Sequence, residues 1–250
     1  MYTPIVKLST VLILSLYTSF SGCQNVIYKL ESANTTENVY DYSNFDGLDL
    51  SHAISVNVVQ SDTYKVVLSC NEKYQDDLRV VQNNTTLKIK MVGWKNYINL
   101  DLKAEIHLPS LKKLQMRGAS RVVLNNLKGQ NITVDISGAS SLKGKIDLSN
   151  TLEIDASGAS RIQLEGVVKN ADVDVSGASS VKGLDLVIND QLSLDASGAS
   201  NATLTAHGRI KADLSGASSF KFGGDGDGDG DGDGDKVKIR STGASNSRKL

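Results

Sequence analysis

The chain repeats the tripeptide Gly-Ala-Ser seven times, and this repetition limits the possible folds more than any other feature. The copies begin at Gly118, Gly138, Gly158, Gly177, Gly198, Gly216 and Gly243. Successive copies are 18–21 residues apart, except that the last interval is 27. Repeats of about 20 residues are typical of solenoids, in which each repeat forms one coil and buries its apolar face against its neighbours. The repeat therefore predicts a stack of coils.

Between the tripeptides, the residues alternate in character as they do in β-strands. Leu152 and Ile154 would share one face of a strand, and Glu153 and Asp155 the other. Glycine suits each corner because it turns sharply without steric cost, and the alanine after it is small enough to pack beneath the turn. We expect at least two short strands in each coil, with a third short side.

An all-β fold follows, with a parallel β-helix or solenoid over residues 111–250 and an N-terminal β-strand region over residues 42–110. Within the N-terminal region, Asn83-Asn84 is the expected turn between two strands, and a strand ends at Pro109. The segment 74–77 is the best candidate for a short helical piece. The first and last Gly-Ala-Ser copies are atypical, as expected for coils that cap a stack.

The N-terminus has the pattern of an export signal. Lys7 precedes an apolar run over residues 8–16, and small residues lead to Ser21-Gly22-Cys23. The run is too short to span a bilayer. Cysteine directly after Ser-Gly resembles the lipobox of bacterial lipoproteins, which implies cleavage after residue 22 and lipidation of Cys23. An ordinary secretory signal or an uncleaved anchor is the alternative.

Lipidation would attach the protein to a membrane durably, because each buried CH₂ contributes about 0.8 kcal/mol. Gln24 takes the place of the aspartate that retains enterobacterial lipoproteins in the inner membrane. We therefore expect an outer-membrane lipoprotein, facing either the periplasm or the cell surface. The polar residues 23–41 read as a tether. Cys70 then has no cysteine partner, and its pattern is that of a small buried hydrophobe.

Five repeats carry an aspartate three residues before the glycine of the corner, on the face predicted to point outward. They are Asp135, Asp155, Asp174, Asp195 and Asp213. Stacking would place them about 4.8 Å apart, where neighbouring charges repel by about 0.9 kcal/mol in water. Hydrogen bonds from the adjacent serines, with water and counter-ions, would relieve this repulsion. Calcium bound by the carboxylates and hydroxyls is the functional alternative.

A second acidic segment, the loop over residues 223–235, consists largely of Gly-Asp pairs and accounts for the longer last interval. Its carboxylates are Asp225, Asp227, Asp229, Asp231, Asp233 and Asp235. The loop has neither the spacing nor the terminal glutamate of an EF-hand. A disordered acidic loop, with calcium bound at most weakly, is the interpretation that its composition favours. We expect no cofactor other than a possible calcium ion.

The chain resembles a Bacteroidota lipoprotein family described as "putative auto-transporter adhesin, head GIN domain". The resemblance rests on three features: Phe45-Asp46-Gly47-Leu48 with the strand at 54–58, the entry at 108–114, and the serial Ser-Gly-Ala-Ser corners. Together they span about residues 42–245. The resemblance implies an all-β fold with a β-helical part and an adhesin-like role, and it brings no catalytic motif.

Little in the sequence predicts catalysis. His52, His107 and His207 are scattered without metal-ligand spacing, and we expect no catalytic residue. The balance of 27 basic and 28 acidic residues argues against a nucleic-acid partner. We therefore predict a non-enzymatic envelope lipoprotein, adhesin-like or scaffolding, that attaches to the membrane through its lipid and presents a surface to a protein or glycan. A carbohydrate-binding or polysaccharide-degrading β-helix protein is the alternative; Arg121 and Arg161, beside Asn201, are too sparse to indicate a substrate groove.

Overall fold

The computed structural model describes residues 34–93, 96–224 and 237–250, which form 18 strands and one short 3-10 helix, Glu72–Asp77. The strands up to the first Gly-Ala-Ser copy are β1 (Thr35–Tyr40), β2 (Gly47–Leu50), β3 (Ile54–Gln60), β4 (Lys65–Asn71), β5 (Leu78–Asn83), β6 (Thr86–Met91), β7 (Leu102–Leu108) and β8 (Lys113–Met116). The later strands are β9 (Arg121–Gly129), β10 (Ile132–Ile136), β11 (Ser141–Ala156), β12 (Arg161–Val175), β13 (Ser180–Ala196), β14 (Asn201–Ala206), β15 (Arg209–Leu214), β16 (Ser219–Gly223), β17 (Val237–Ser241) and β18 (Asn246–Lys249). The all-β class is confirmed, and these strands form one curled sheet.

From β8 onward, each repeat pairs in parallel with the next, so that residues about 20 positions apart lie side by side. Leu152 on β11 pairs with Ile132 on β10 and with Ala171 on β12. Shifts of register divide β11 near Gly144 and again after Leu148, and similar shifts interrupt β12 and β13. Each of these repeats therefore contributes three short ladders.

The corner between two of these ladders requires glycine. Gly158 has a φ of 76°, and a Cβ there would lie 2.7 Å from the carbonyl oxygen of Gly138 in the preceding repeat. The close approach allows the N–H of Ala159 to donate to that oxygen at 2.8 Å. The same hydrogen bond recurs from corner to corner, which explains why the tripeptide is repeated.

The alanine of each corner is exposed, so the prediction that it packs beneath the turn is wrong. In the first six corners the serine after the alanine is buried and directly precedes the next strand; these serines are Ser120, Ser140, Ser160, Ser179, Ser200 and Ser218. Ser160 Oγ donates to the carbonyl oxygen of Ser157 at 2.7 Å. Serine is small enough for the interior and can bond a corner carbonyl, which alanine cannot do.

The N-terminal region continues the same sheet and core across residue 111. Strand β2 pairs in parallel with β8, and β3 pairs in parallel with β9. Buried hydrophobic residues form one cluster that extends from Phe45 to Phe222. The first Gly-Ala-Ser copy consequently has a neighbour on both sides, which corrects its prediction as a terminal cap.

Antiparallel strands cover the N-terminal end of the sheet. Strand β4 pairs with both β1 and β7, and β5 pairs with β6 around Asn84, whose φ is 51°. The predicted Asn83-Asn84 turn is confirmed, and the 3-10 helix at Glu72–Asp77 includes the predicted helical piece. The predicted tether is wrong over Thr35–Tyr40, because these residues form β1 and pair with the backbone groups of β4.

Several predicted features lie outside the described residues. These are the signal peptide over residues 1–22, the lipidation site Cys23 and the six aspartates from Asp225 to Asp235. Within the described ranges, none of the helices has the length and apolarity needed to cross a bilayer.

Candidate functional site

The five aspartates before the corners form one continuous column on the outside of the sheet. Asp155 pairs in register with Asp135 and Asp174, and Asp195 pairs with Asp174 and Asp213. Each aspartate is exposed or half-buried and lies between inward-facing apolar residues on its strand. The predicted outward stacking is therefore confirmed. We call these five residues the acidic column.

Two further carboxylates widen the acidic column at its centre. Glu153 pairs in register with Asp172, and the two lie two positions before Asp155 and Asp174 on the same strands. Thr133 Oγ1 donates to Glu153 Oε2 at 3.0 Å. The repeat does not mark this position as acidic, because a carboxylate occupies it in only two repeats. The alternation that placed Asp155 on the outer face also places Glu153 and Asp172 there, and the register between β11 and β12 brings the two side by side.

Donors and cations lie at both ends of the acidic column. Gln115 Nε2 donates to Asp135 Oδ2 at 3.0 Å. At the other end, Arg240 Nη1 lies 4.0 Å from Asp213 Oδ1, and Lys211 Nζ lies 3.8 Å from Asp213 Oδ2. Gln115 and Arg240 are the two residues that replace aspartate in the atypical repeats, so the departures from the repeat relieve the charge of the terminal aspartates.

The same register position continues beyond Gln115 to a carboxylate that is well paired. Asp49 on β2 pairs in register with Gln115 and with Lys88. Its side chain is nearly buried and lies 2.8 Å from Lys88 Nζ and 2.9 Å from Arg117 Nη1. Asp49 thus has two cationic partners, whereas the middle of the acidic column has carboxylate neighbours.

Asp174 lies at the middle of the acidic column, with carboxylates on both sides. Partial burial raises the pKa of the Asp174 carboxyl, and the charges of Asp195, Asp172, Asp155 and Glu153 raise it further, in that order. Partial burial removes hydration from the charged form, and the nearby negative charges also disfavour it.

The hydrogen bonds expected from the serines beside the aspartates are not formed among the described residues. Ser137 Oγ, next to Asp135, instead lies within donating distance of the carbonyl oxygen of Met116, at 3.5 Å. In the described part of the chain, no group of three or more His, Cys, Asp or Glu side chains is arranged as a metal site. Calcium binding by the acidic column stays a prediction.

A shallow groove of about 340 Å³ borders the C-terminal half of the acidic column. Its walls carry the carboxylates of Asp174, Asp195 and Asp213, the adjacent serines, and Arg240. The groove combines carboxylate acceptors with hydroxyl groups and one guanidinium. This arrangement could bind a cation or a polar ligand, but it does not contain an activated nucleophile.

The three histidines and Cys70 lie apart from the acidic column. His107 Nε2 lies 2.9 Å from Glu105 Oε1, and the His52 ring contacts Tyr97 edge-on. His207 lies at the start of the turn after β14 and donates its backbone N–H to the carbonyl oxygen of Ile188. Burial raises the pKa of the Cys70 thiol to about 11. The prediction that Cys70 is a small buried hydrophobe is confirmed.

A family comparison accounts for this combination of corners and strands. The family model described as "Putative auto-transporter adhesin, head GIN domain" matches residues 44–226. The chain belongs to this family. The resemblance stated from the sequence is confirmed. The matched range includes the N-terminal strands as well as the repeats.

Solved structures show the same fold in proteins of low sequence identity. A "putative adhesin" from Bacteroides fragilis superimposes with a TM-score of 0.77 at 17% identity, covering 86% of this chain and 97% of that one. A "putative adhesin" from Parabacteroides merdae gives a TM-score of 0.60 at 12% identity, covering 86% and 96%. A "putative lipid binding protein" from Parabacteroides distasonis gives 0.54 at 17% identity, covering 88% and 98%. No curated protein matches the sequence.

Proposed function

We propose that this protein is a non-enzymatic, adhesin-like lipoprotein of the cell envelope, anchored in the outer membrane through Cys23. The observation that carries the proposal is the match of an adhesin family over residues 44–226. The solved structures named as adhesins share the fold. The export signal and the Ser-Gly-Cys sequence that ends it support lipid attachment.

We further infer that the body is a parallel β-helix. The support is the regular pairing of each repeat with the next in parallel, with three ladders for each of the central repeats. A β-helix gives an envelope protein a long, rigid surface in which each side-chain position is repeated along the axis. Such a surface suits extended contact with a partner better than it suits a single catalytic centre.

Metabolic labelling with an alkyne fatty acid tests the anchor. The Cys23→Ser chain should lose the label, while the matched Cys70→Ala chain should keep it because Cys70 is buried in the core. Labelling of Cys23→Ser would refute attachment at this residue. Protease treatment of intact cells then separates a surface location, where the body is digested, from a periplasmic one, where it is protected.

The non-enzymatic part of the proposal has its own test. The purified chain is incubated with polyuronates, and unsaturated or reducing ends are measured over time. We expect no product, because the sequence has no catalytic motif and the described His, Cys, Asp and Glu side chains form no metal-type cluster. Steady release of oligosaccharides would make the protein a polysaccharide-degrading enzyme and overturn the proposal.

A further inference from the structure

We propose that a basic groove on the strands following the corners binds an acidic polysaccharide, with the glycan lying along the axis of the stacked repeats. The proposal deepens the proposed function, because it names the partner class of an adhesin-like surface. The groove has a volume of about 870 Å³, larger than the groove beside the acidic column. It crosses the ladders formed by β9, β11, β12, β13, β14 and β16.

The groove carries an excess of positive charge. Its lining includes four lysines, Lys143, Lys145, Lys182 and Lys221, against the two carboxylates Glu165 and Asp185. The whole chain has a formal net charge of −1, so this excess is a local feature. A cleft lined mainly by one sign of charge concentrates ligands of the opposite sign.

The cations of this face follow two adjacent register positions in alternation. Arg121, Ser141 and Arg161 lie side by side at one position. Two residues further along each strand, Lys143, Gln163 and Lys182 lie side by side at the other. At these two positions, each of the four successive repeats has one cation; Lys143 and Lys182 line the groove, and Arg121 and Arg161 are not among its lining residues.

This alternation differs from the acidic column, where like charges are direct neighbours. At each basic position two cations are separated by a polar residue, which puts them about 9.6 Å apart. Lys221 continues the second position after Thr203. The arrangement keeps mutual repulsion low and leaves each cation available to an external anion.

The cations have no internal partners. Within the described ranges, the side chains of Arg121, Lys143, Arg161, Lys182 and Lys221 form no hydrogen bond or ion pair with one another or with other residues. Cations in the N-terminal region behave differently: Lys65, for example, pairs with Glu105 at 2.9 Å. The basic face thus has uncompensated charge at a regular spacing.

The remaining lining of the groove suits a sugar. Leu184 and Val123 are exposed by 52% and 39% and provide apolar contacts. Gln163 and Thr203 supply groups that can donate to or accept from hydroxyls. A few polar groups on a partly apolar surface are the usual composition of a ligand groove.

The chemistry favours a polyuronate over a nucleic acid. A polyuronate has one carboxylate on each sugar, and in a twofold extended chain every second carboxylate points to the same side, just as Lys143, Lys182 and Lys221 recur at every second repeat along one register position of the groove. Single-stranded nucleic acids are bound with aromatic side chains that stack on the bases. None of the described residues that line the groove is aromatic.

Binding of polygalacturonate to the purified full chain, measured by calorimetry or biolayer interferometry, tests the proposal. The groove variant Lys143→Gln/Lys182→Gln is compared with Lys113→Gln/Lys169→Gln, which removes the same charge from exposed positions outside the groove. Each exposed ion pair contributes about 0.5–1 kcal/mol, so the groove variant should bind about 5- to 30-fold more weakly. The control variant should bind like the wild type, and added salt should weaken binding in both.

Other outcomes would overturn the proposal. These are no binding by the wild type, equal losses in both variants, equal affinity for the neutral polymer dextran, or tighter binding of single-stranded DNA. Dimerisation that the groove variant abolishes, seen by sedimentation, would assign the groove to the acidic column of a second copy. Fatty-acid labelling at Cys23 is read in the same variants. Absence of polygalacturonate binding by the wild type, with intact labelling, refutes the groove ligand only, whereas loss of labelling in the wild type, with intact binding, refutes the anchor only.

Discussion

Replacing Asp174 by asparagine should stabilise the protein. Asp174 lies between Asp155 and Asp195 in register, and among the described residues no cation pairs with its side chain. Asparagine has nearly the same shape and keeps the polar exposed surface, but it removes the charge. The substitution therefore isolates the electrostatic repulsion at the centre of the acidic column.

The magnitude follows from the register. Neighbouring strands are about 4.8 Å apart, and unit charges at that separation repel by about 0.9 kcal/mol in water. Two neighbours give about 2 kcal/mol at low salt. A Debye length of about 8 Å at physiological salt roughly halves this value, to about 1 kcal/mol. For a chain of this size that corresponds to a rise in melting temperature of about 2–4 °C.

The effect should decrease as the pH falls. The pKa of Asp174 is raised in the folded state, so the charged carboxylate destabilises the fold at neutral pH. Acidification through that pKa protonates the wild-type residue and removes the repulsion. The advantage of Asp174→Asn is then full above the folded-state pKa of Asp174, decreases as the pH falls through it, and is lost below the lower pKa of the unfolded chain.

Thermal unfolding followed by circular dichroism, at two salt concentrations and several pH values, measures these differences. Asp147→Asn is the matched control, because Asp147 on β11 pairs in register with Lys128 and Val167. It should change stability little. Asp49→Asn should destabilise, by about 1–2 kcal/mol, because the Asp49 carboxylate forms ion pairs with Lys88 and Arg117.

A neutral or destabilising effect of Asp174→Asn in low salt without divalent cations would refute the repulsion argument. Calcium separates the two interpretations of the acidic column. A bound calcium would raise the melting temperature of the wild type more than that of Asp174→Asn. Equal melting temperatures with and without calcium would refute a specific site at the acidic column.

Three further predictions concern the corners and the core. Gly158→Ala should destabilise by about 2–3 kcal/mol in urea unfolding, because the new side chain would be in a left-handed conformation, would lie 2.7 Å from backbone and would break a corner hydrogen bond. Gly129→Ala is the control and should be nearly neutral, because its nearest contact is at 3.7 Å. Equal effects of the two substitutions would contradict the corner geometry. Ser160→Ala should lower the free energy of unfolding by about 1 kcal/mol through loss of its hydrogen bond. Ser200→Ala should be neutral or stabilising, because Ser200 Oγ is buried without a partner in the described chain. A lower melting temperature for Ser200→Ala than for Ser160→Ala would refute this difference between the two serines. Cys70 should react with iodoacetamide far more slowly in the folded state than in urea, because it is buried and its pKa is raised. The reaction is followed by mass spectrometry in a Cys23→Ser chain. Rapid labelling of the native protein would show that the core opens.

The regular part of the fold was predictable because its information is local and repeated. The alternation around Leu152 and Ile154 determined which side chains point inward, and the interval near 20 residues determined which repeats are neighbours. The acidic column followed from these two facts alone. The widening by Glu153 and Asp172 required the register between β11 and β12, which the sequence implied but did not emphasise.

The irregular parts were less accessible. Strand β1 lies in a polar segment without an obvious period. It forms because it pairs with the edge of β4, which lies about 30 residues later in the chain. The burial of the corner serine, in place of the alanine before it, depends on how the backbone leaves the left-handed glycine. Neither choice is encoded by composition or spacing.

The sequence by itself determined the all-β class, the glycine at each corner and the stacking of Asp135 through Asp213, because all three follow from a period and from the steric freedom of glycine. Only the tertiary structure decided that β2 and β3 extend the stack, that Gln115 and Arg240 contact the ends of the acidic column, and that scattered cations converge on one groove. The physical reason is that these cations are far apart in the chain and become neighbours only when the strands pair in register. Arg121 and Arg161 looked isolated in the chain, and the ladder places Lys143 and Lys182 beside them.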